Sequence, residues 1–259
     1  MRVLFIGDVF GRPGRLLLKG VLPGLVDKEH IDFVIANGEN AAGGFGITEK
    51  TATELFSCGV DCITTGNHVW DKKDVVQYIA RNERLLRPLN YPQGVPGAGS
   101  GVYTLRDKTK IGVINLSGRV FMTPIDCPFR TAAAEVQRLS KEAKTIIVDM
   151  HAEATSEKLA LGYYLDGKVS AVVGTHTHVQ TADERLLPGG TAYITDVGMT
   201  GPIHSVIGVK VEQIIEKFLY QIPMRYEVAP GGCVFSAVVV DINNDTGNAT
   251  AIKRLMIYN

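Results

Sequence analysis

Polar residues with metal-binding side chains follow five of the strand-like segments of this chain. In chain order they are Asp8, Glu39, Asn40, Asn67, His68, His151, His176 and His178. The carboxyl ends of parallel strands in an open α/β sheet form a ligand crevice, so we expect these side chains to converge on one site. Glycine comes just before several of them, at Gly7, Gly38 and Gly66, where it permits a sharp turn and a close backbone approach.

These candidates consist of carboxylates, carboxamides and imidazoles, and they include no thiolate. Such an oxygen and nitrogen set suits Mn, Fe, Zn or similar ions. With His68 held in reserve, the other side chains exceed what one tetrahedral site uses, whereas a two-metal centre with a bridging carboxylate uses them all. Taken singly, Asp8 could cap a helix and His151 could be a buried core histidine. Their joint occurrence at strand ends favours a metal site.

The segments between these residues predict an α/β fold. Apolar runs predict strands at residues 3–6, 32–36, 62–65, 101–105, 111–116, 145–149, 171–174, 191–195, 233–242 and 249–257. Helical patterns run from Pro13 to Leu25, from Thr48 to Gly59, from about Asp71 to Arg81 and around Thr131–Ala143. We expect residues 1–259 to form one domain in which two sheets pack face to face with helices outside.

The charge balance and the cysteine content argue against several classes of binding partner and cellular location. Among the 259 residues, 27 Lys and Arg balance 27 Asp and Glu, which argues against binding of nucleic acid or an acidic membrane surface through bulk charge. The four cysteines form no paired CxxC units, which favours free thiols in a reducing compartment. The sequence contains no apolar run of about 20 residues, and its first residues do not resemble a signal peptide. We expect a cytoplasmic protein, and assembly into a homo-oligomer is left open.

Several motifs together resemble a known superfamily. Gly7-Asp8, Gly66-Asn67-His68 and Gly174-Thr175-His176-Thr177-His178 are similar to the blocks of the calcineurin-like metallophosphoesterases. The resemblance is closer to the YmdB-like phosphodiesterases, through Gly7-Asp8-Val9-Phe10-Gly11, Asn37-Gly38-Glu39-Asn40, Thr65-Gly66-Asn67-His68, Asp149-Met150-His151-Ala152-Glu153 and Asp196-Val197-Gly198-Met199-Thr200-Gly201-Pro202. It spans essentially the whole chain and implies a four-layer, two-sheet α/β sandwich with a dinuclear metal site.

The resemblance also implies a role for each candidate. Asp8, Asn40 and His178 would bind the first metal, Asn67, His151 and His176 the second, and Glu39 would bridge the two. His68 is likened to the general acid of the family, and a hydroxide shared by the ions would attack phosphorus in line with the leaving oxygen. Phe10 and Glu39 stand where the wider superfamily has histidine and aspartate, and the YmdB-like branch is similar to this chain at both positions.

The activity that the resemblance implies is hydrolysis of cyclic nucleotides, either 2′,3′-cyclic mononucleotides or 3′,5′-cyclic AMP. The implied cofactors are two divalent or trivalent transition-metal ions, Fe or Mn, with Zn or Mg as alternatives. A phosphomonoesterase or 5′-nucleotidase on the same centre and a weakly active regulatory phosphate-binding protein stay open as alternatives. A nuclease for long RNA is disfavoured, because no basic tract with interleaved aromatic residues is present.

Residues outside these blocks receive weaker interpretations. We expect His30 to close a helix and His204 to lie outside the site. The run Gly43-Gly44-Phe45-Gly46 is a candidate for substrate contact, and Asp149 and Glu153 are expected to orient His151. Cys58 and Cys62 are expected to be buried and unreactive.

Overall fold

The computed structural model describes residues 1–259. Its elements are β1 (Arg2–Ile6), β2 (Asp8–Val9), α1 (Gly11–Glu29), β3 (Phe33–Asn37), α2 (Glu49–Ser57), β4 (Cys62–Thr64), α3 (Val75–Ile79), β5 (Ser100–Thr104), β6 (Lys110–Ser117), α4 (Pro128–Leu139), β7 (Thr145–His151), α5 (Thr155–Leu165), β8 (Ala171–Thr175), β9 (Arg185–Leu186), β10 (Ala192–Ile194), β11 (Met199–Pro202), α6 (Val211–Tyr220), β12 (Cys233–Ile242) and β13 (Ala249–Tyr258).

The first sheet has seven strands. Strands β1, β3 and β4 are parallel neighbours, and β1 pairs antiparallel with β12. The other edge of β12 carries β13, while the beginning of β12 pairs with β11, which in turn pairs with β2. The carboxyl ends of β1, β3 and β4 therefore lie along one edge of this sheet.

The second sheet has six strands in the order β5-β6-β7-β8-β10-β9. Strands β6, β7, β8 and β10 are parallel, and the outer strands β5 and β9 run antiparallel to their neighbours. The carboxyl ends of β7 and β8 again lie side by side. Each sheet thus brings its strand ends to a single edge, which is the arrangement that the sequence predicts.

Successive side chains of the strands point to opposite faces of each sheet, and the buried ones form three apolar layers. Val3 and Phe5 of β1 join Ile147 of β7 and Val173 of β8 in a buried cluster between the two sheets. The intervening side chains of β1 point the other way and pack with α1, α2 and α3, and those of β7 and β8 pack with α4 and α5. The predicted four-layer sandwich of helices, sheet, sheet and helices is confirmed. No helix is both long and apolar enough to cross a membrane.

Two helix boundaries follow the predicted end signals. Thr48 caps α2, since its hydroxyl accepts a hydrogen bond from the Thr51 backbone N–H and the Thr51 hydroxyl accepts one from the Thr48 N–H. His30 ends α1 in the left-handed conformation, with φ of 52°. Both residues have the structural roles that the sequence indicates.

Some of the helix predictions made from the sequence are wrong. The predicted helix from Asp71 to Arg81 is only the short α3, because the residues before it form turns closed by bonds such as Asp71 N–H to His68 C=O. Helices α5 and α6 have no counterpart among the predicted elements. The apolar residues of α5 do not fall on one clear stripe, whereas α6 has a clear apolar stripe that the protein leaves without burial.

Candidate metal centre

The first sheet places oxygen donors at the site. Asp8 begins β2 directly beyond β1, Glu39 and Asn40 lie in the turn after β3, and Asn67 lies in the turn after β4. The side chains of Asp8, Glu39 and Asn40 are buried, and Asn67 is half-buried. Four of the predicted ligands therefore come from one sheet, and each can offer an oxygen atom.

The second sheet places imidazoles opposite them. His151 is the last residue of β7, and His176 and His178 lie in the turn after β8. The backbones of His176 and His178 adopt positive φ values of 101° and 66°, a conformation that non-glycine residues seldom hold without support. This turn directs both imidazoles back toward the first sheet.

Three potential ligand atoms surround the Nε2 atom of His151, which is itself a fourth. Glu39 Oε1 lies 3.1 Å from it, Asn67 Oδ1 lies 3.0 Å away, and His176 Nδ1 lies 3.0 Å away. One imidazole nitrogen can donate only one proton, so it cannot satisfy three neighbouring acceptors at once. A cation among these four atoms would satisfy all of them together.

A second group of potential ligands lies beside Glu39, around Asp8. His178 Nε2 is 3.6 Å from Asp8 Oδ1, and the Asn40 amide nitrogen lies 3.1 Å from His178 Nε2 and 3.2 Å from Glu39 Oε1. Asp8 Oδ1 is buried and has no hydrogen-bond partner. A buried carboxylate oxygen without a partner is costly, and a bound cation would remove that cost.

The remaining ring nitrogens are held by acceptors outside the site. His178 Nδ1 is 2.9 Å from the Ile207 carbonyl, which can only accept, so Nδ1 carries the proton and Nε2 faces the carboxylates. His151 Nδ1 lies 2.9 Å from the Thr175 hydroxyl, which itself donates to Asp149 at 2.7 Å. The imidazoles are thereby oriented with a free nitrogen toward the site, as metal-binding histidines are.

Burial and neighbouring charges set the protonation of the donors. Burial would raise the pKa of both Asp8 and Glu39, but attraction from His178 and His151 outweighs burial and lowers the pKa of both carboxyls. Burial and the nearby His151 lower the pKa of His176 to about 3. Although burial opposes it, Glu39 raises the pKa of His151 to about 9, so a cation here would displace a proton from His151. Taken together, the donor set fits metal ions.

Residues from the two sheets approach each other closely at Gly66. A Cβ atom on this residue would collide with the His151 ring and with Glu39 Oε2. Next along the chain, the His68 backbone N–H donates to Glu39 Oε2 at 3.2 Å. The glycine before Asn67 is therefore required for space rather than for its φ angle.

His68 lies at the mouth of the site. Its Nδ1 atom is 2.8 Å from Asp71 Oδ2, which leaves Nε2 without a protein partner. It lines a cleft of about 300 Å³ together with Glu39, Asn40 and His176. An imidazole in this position can give a proton to, or donate a hydrogen bond to, a group held in the cleft.

A buried ion pair supports the turn that carries His176 and His178. Lys158 of α5 is fully buried, and its Nζ donates to Asp196 Oδ2 at 2.7 Å. The same oxygen accepts from the backbone N–H of Thr177 at 3.0 Å and from its hydroxyl at 2.8 Å. The pair is therefore joined directly to the residue between the two histidines.

Some supporting residues were missed by the sequence analysis, and some expectations were wrong. Lys158 was missed, because it follows Thr155, Ser156 and Glu157 in the first turn of α5, where a lysine is ordinarily exposed. Glu153 does not orient His151; its carboxylate lies 3.2 Å from His176 Nε2. Cys58 is half-buried rather than buried, whereas Cys62 is buried and its pKa is raised to about 12 by burial. His204 is exposed and is not among the residues lining the cleft, as expected.

Comparisons with known proteins agree with this fold. The family model described as YmdB-like protein matches residues 4–255. The chain is 51% identical over 257 residues to the 2′,3′-cyclic-nucleotide 2′-phosphodiesterase of Bacillus subtilis, covering 99% of this chain and 97% of the relative.

Solved structures with closely similar folds come from two further bacteria. A hypothetical protein from Thermus thermophilus is 43% identical with a TM-score of 0.94, covering 100% of this chain and 99% of the other. A novel phosphatase from Mycoplasma pneumoniae is 36% identical with a TM-score of 0.93, covering 100% of this chain and 93% of the other. With the family model matching nearly the whole length, the chain belongs to the YmdB-like protein family.

Proposed function

We propose that this protein is a metal-dependent phosphodiesterase that hydrolyses cyclic nucleotides, with 2′,3′-cyclic mononucleotides as its main substrates. The observation that carries the proposal is the meeting of Glu39, Asn67 and His176 around one nitrogen of His151, next to a cleft that can hold a phosphate. The activity named for the B. subtilis relative supports the choice of substrate. Hydrolysis adds water across the bond between phosphorus and the 2′-oxygen and leaves a 3′-phosphate.

We further propose that the site binds two transition-metal ions, with iron or manganese as the first choice and zinc or magnesium as alternatives. Asp8, Asn40 and His178 would hold one ion, Asn67, His151 and His176 the other, and Glu39 both. The chemistry that such a pair supplies is a lowered pKa for water and neutralisation of the charge that develops on the phosphoryl oxygens. The two groups of donors that meet near Glu39 support this assignment.

His68 is proposed to protonate the leaving 2′-oxygen. Its Nδ1 is bound by Asp71, so the ring is fixed in place and Nε2 is available to the substrate. An alkoxide leaves slowly without a proton, so this step gives His68 a direct part in the reaction.

The substrate class is tested with model esters. We expect the purified protein, supplied with Mn²⁺ or Fe²⁺, to hydrolyse bis-p-nitrophenyl phosphate faster than p-nitrophenyl phosphate, and to convert 2′,3′-cyclic AMP to the 3′-phosphate. The measurements are the release of p-nitrophenolate and chromatography of the nucleotide products. A large preference for the monoester would contradict the proposal and favour a phosphomonoesterase.

Replacing His68 by asparagine tests its role through the leaving group. We expect kcat on 2′,3′-cyclic AMP to fall about 100-fold, the effect of losing a general acid. The loss on bis-p-nitrophenyl phosphate should be much smaller, because p-nitrophenolate leaves without a proton. Equal losses on both substrates would show that His68 serves binding or positioning rather than proton transfer.

A further inference from the structure

Two aromatic side chains, Phe45 and Tyr226, pack together next to His68 at the cleft. Phe45, which lines the cleft, lies with its ring centroid 5.4 Å from that of His68. Tyr226, from the segment between α6 and β12, packs beside Phe45, with ring centroids 6.3 Å apart and ring planes inclined by 26°. Both side chains are half-buried, so part of each remains accessible to a ligand.

The glycine-rich loop holds Phe45 in this position. Gly43, Gly44 and Gly46 have positive φ values of 73°, 95° and 75°. A Cβ atom on Gly44 would lie 2.9 Å from the ring of Phe10, so no larger residue fits there without movement. Hydrogen bonds from Ala42 N–H to Gly46 C=O and from Gly44 N–H to Asn40 C=O close the loop onto the metal-site turn. Phe45 is thus the one side chain that the run of glycines presents.

Separate contacts hold Tyr226 in place. It packs against the small buried cluster of Phe10, Met199 and Val209. The next residue, Glu227, donates its backbone N–H to Gln213 of α6 at 2.8 Å, and its carbonyl accepts from Lys210 N–H at 3.0 Å. The two rings therefore belong to separate segments that meet beside His68.

We propose that Phe45 and Tyr226 form a subsite for the nucleobase, in which the base stacks on the Phe45 ring while the cyclic phosphate lies against Glu39 and His68. This inference rests on the proposed function and names the part of the substrate that the metal centre does not recognise. The Phe45 ring offers a π-face and no hydrogen-bonding group, so it stacks with every base and favours none by its edge. The enzyme should therefore favour substrates that carry a base, accept every base, and bind the larger purines more tightly.

The experiment compares a substrate that has a base with one that lacks it. In the Phe45→Leu variant, we expect kcat/KM for 2′,3′-cyclic AMP to fall about 10-fold through KM, the size expected for loss of one stacked base. For ribose 2,3-cyclic phosphate, which has no base, wild type and variant should agree within about twofold, since no stacking energy is lost. Phe121→Leu is the matched control, because Phe121 is 91% exposed and does not line the cleft, and its activity on both substrates should not change.

Two results would overturn the subsite. Equal losses on both substrates would mean that Phe45 only positions His68, and an unchanged KM for 2′,3′-cyclic AMP would mean that the base does not contact Phe45. Calorimetric binding of adenosine 3′-phosphate and of inorganic phosphate separates this inference from the proposed function. The wild type could hydrolyse neither 2′,3′-cyclic AMP nor ribose 2,3-cyclic phosphate but bind adenosine 3′-phosphate in a way that depends on Phe45. In that case the proposed function is wrong and the base subsite stands. Binding that does not depend on Phe45 rejects the subsite.

Discussion

Replacing Glu39 by glutamine is expected to lower kcat on 2′,3′-cyclic AMP by about 1,000-fold, the upper range for one preorganised electrostatic contact. Glu39 Oε1 faces His151 and Asn40, while Oε2 accepts from the His68 backbone. A glutamine keeps the shape but has only one acceptor oxygen, and its NH₂ group must face one of these donors. The change therefore removes one hydrogen bond and the negative charge of the carboxylate that is proposed to bridge the two ions.

The readouts are activity, metal content by elemental analysis, and circular dichroism. We expect the variant to keep the spectrum of the wild type and to lose bound metal. Glu142→Gln makes the same chemical change at an exposed position outside the site and should behave as wild type. Full metal content and full activity in Glu39→Gln would contradict the assignment of Glu39 as the shared ligand.

Replacing Lys158 by methionine is expected to lower the free energy of unfolding by about 3–5 kcal/mol, the usual cost of leaving a buried charge unpaired. Lys158 and Asp196 have no exposed side-chain surface, and their atoms are 2.7 Å apart. Methionine fills a similar volume but cannot neutralise the carboxylate. The measurement is urea denaturation, in which the midpoint should fall while the slope stays unchanged.

The double variant Lys158→Met with Asp196→Asn separates charge from packing. Because no buried charge is left, we expect it to recover part of the lost stability. Asparagine also keeps an oxygen that can accept from Thr177, so the turn that carries His176 and His178 should be retained. A double variant no more stable than Lys158→Met alone would show that packing around the lysine, rather than its charge, provides the stability.

The sequence was sufficient to predict the layered fold, because buried strands have an unmistakable pattern. Val3–Ile6 and Thr145–Val148 are continuous apolar or β-branched runs, and the structure places them in the centres of the two sheets. Helix α6 could also have been found, since its apolar residues recur at helical spacing. The helix expected over Asp71–Arg81 is shortened to Val75–Ile79, because its first residues form a turn in which Asp71 contacts His68.

The meeting of the candidate ligands was predictable from the order of the strands, but the contacts that hold those ligands in place were not. Each candidate lies at or just after the end of a strand, so parallel strands within each sheet, together with packing of the two carboxyl edges on the same side, bring Asp8, Glu39 and His151 together. The contacts that orient them join residues far apart in the chain, such as Lys158 with Asp196 and Thr175 with Asp149. No local pattern marks such pairs, because each partner is recognisable only when the other is placed beside it.

The division of donors between the two sheets has a consequence for how the protein matures. One sheet offers only carboxylates and carboxamides and the other only imidazoles, so neither has a full coordination sphere by itself. A growing polypeptide has no complete chelator until the segment containing His178 has emerged and the halves have docked. Under the proposed two-metal assignment, metal loading would be a late event in biogenesis, and the bound ions would join the two sheets.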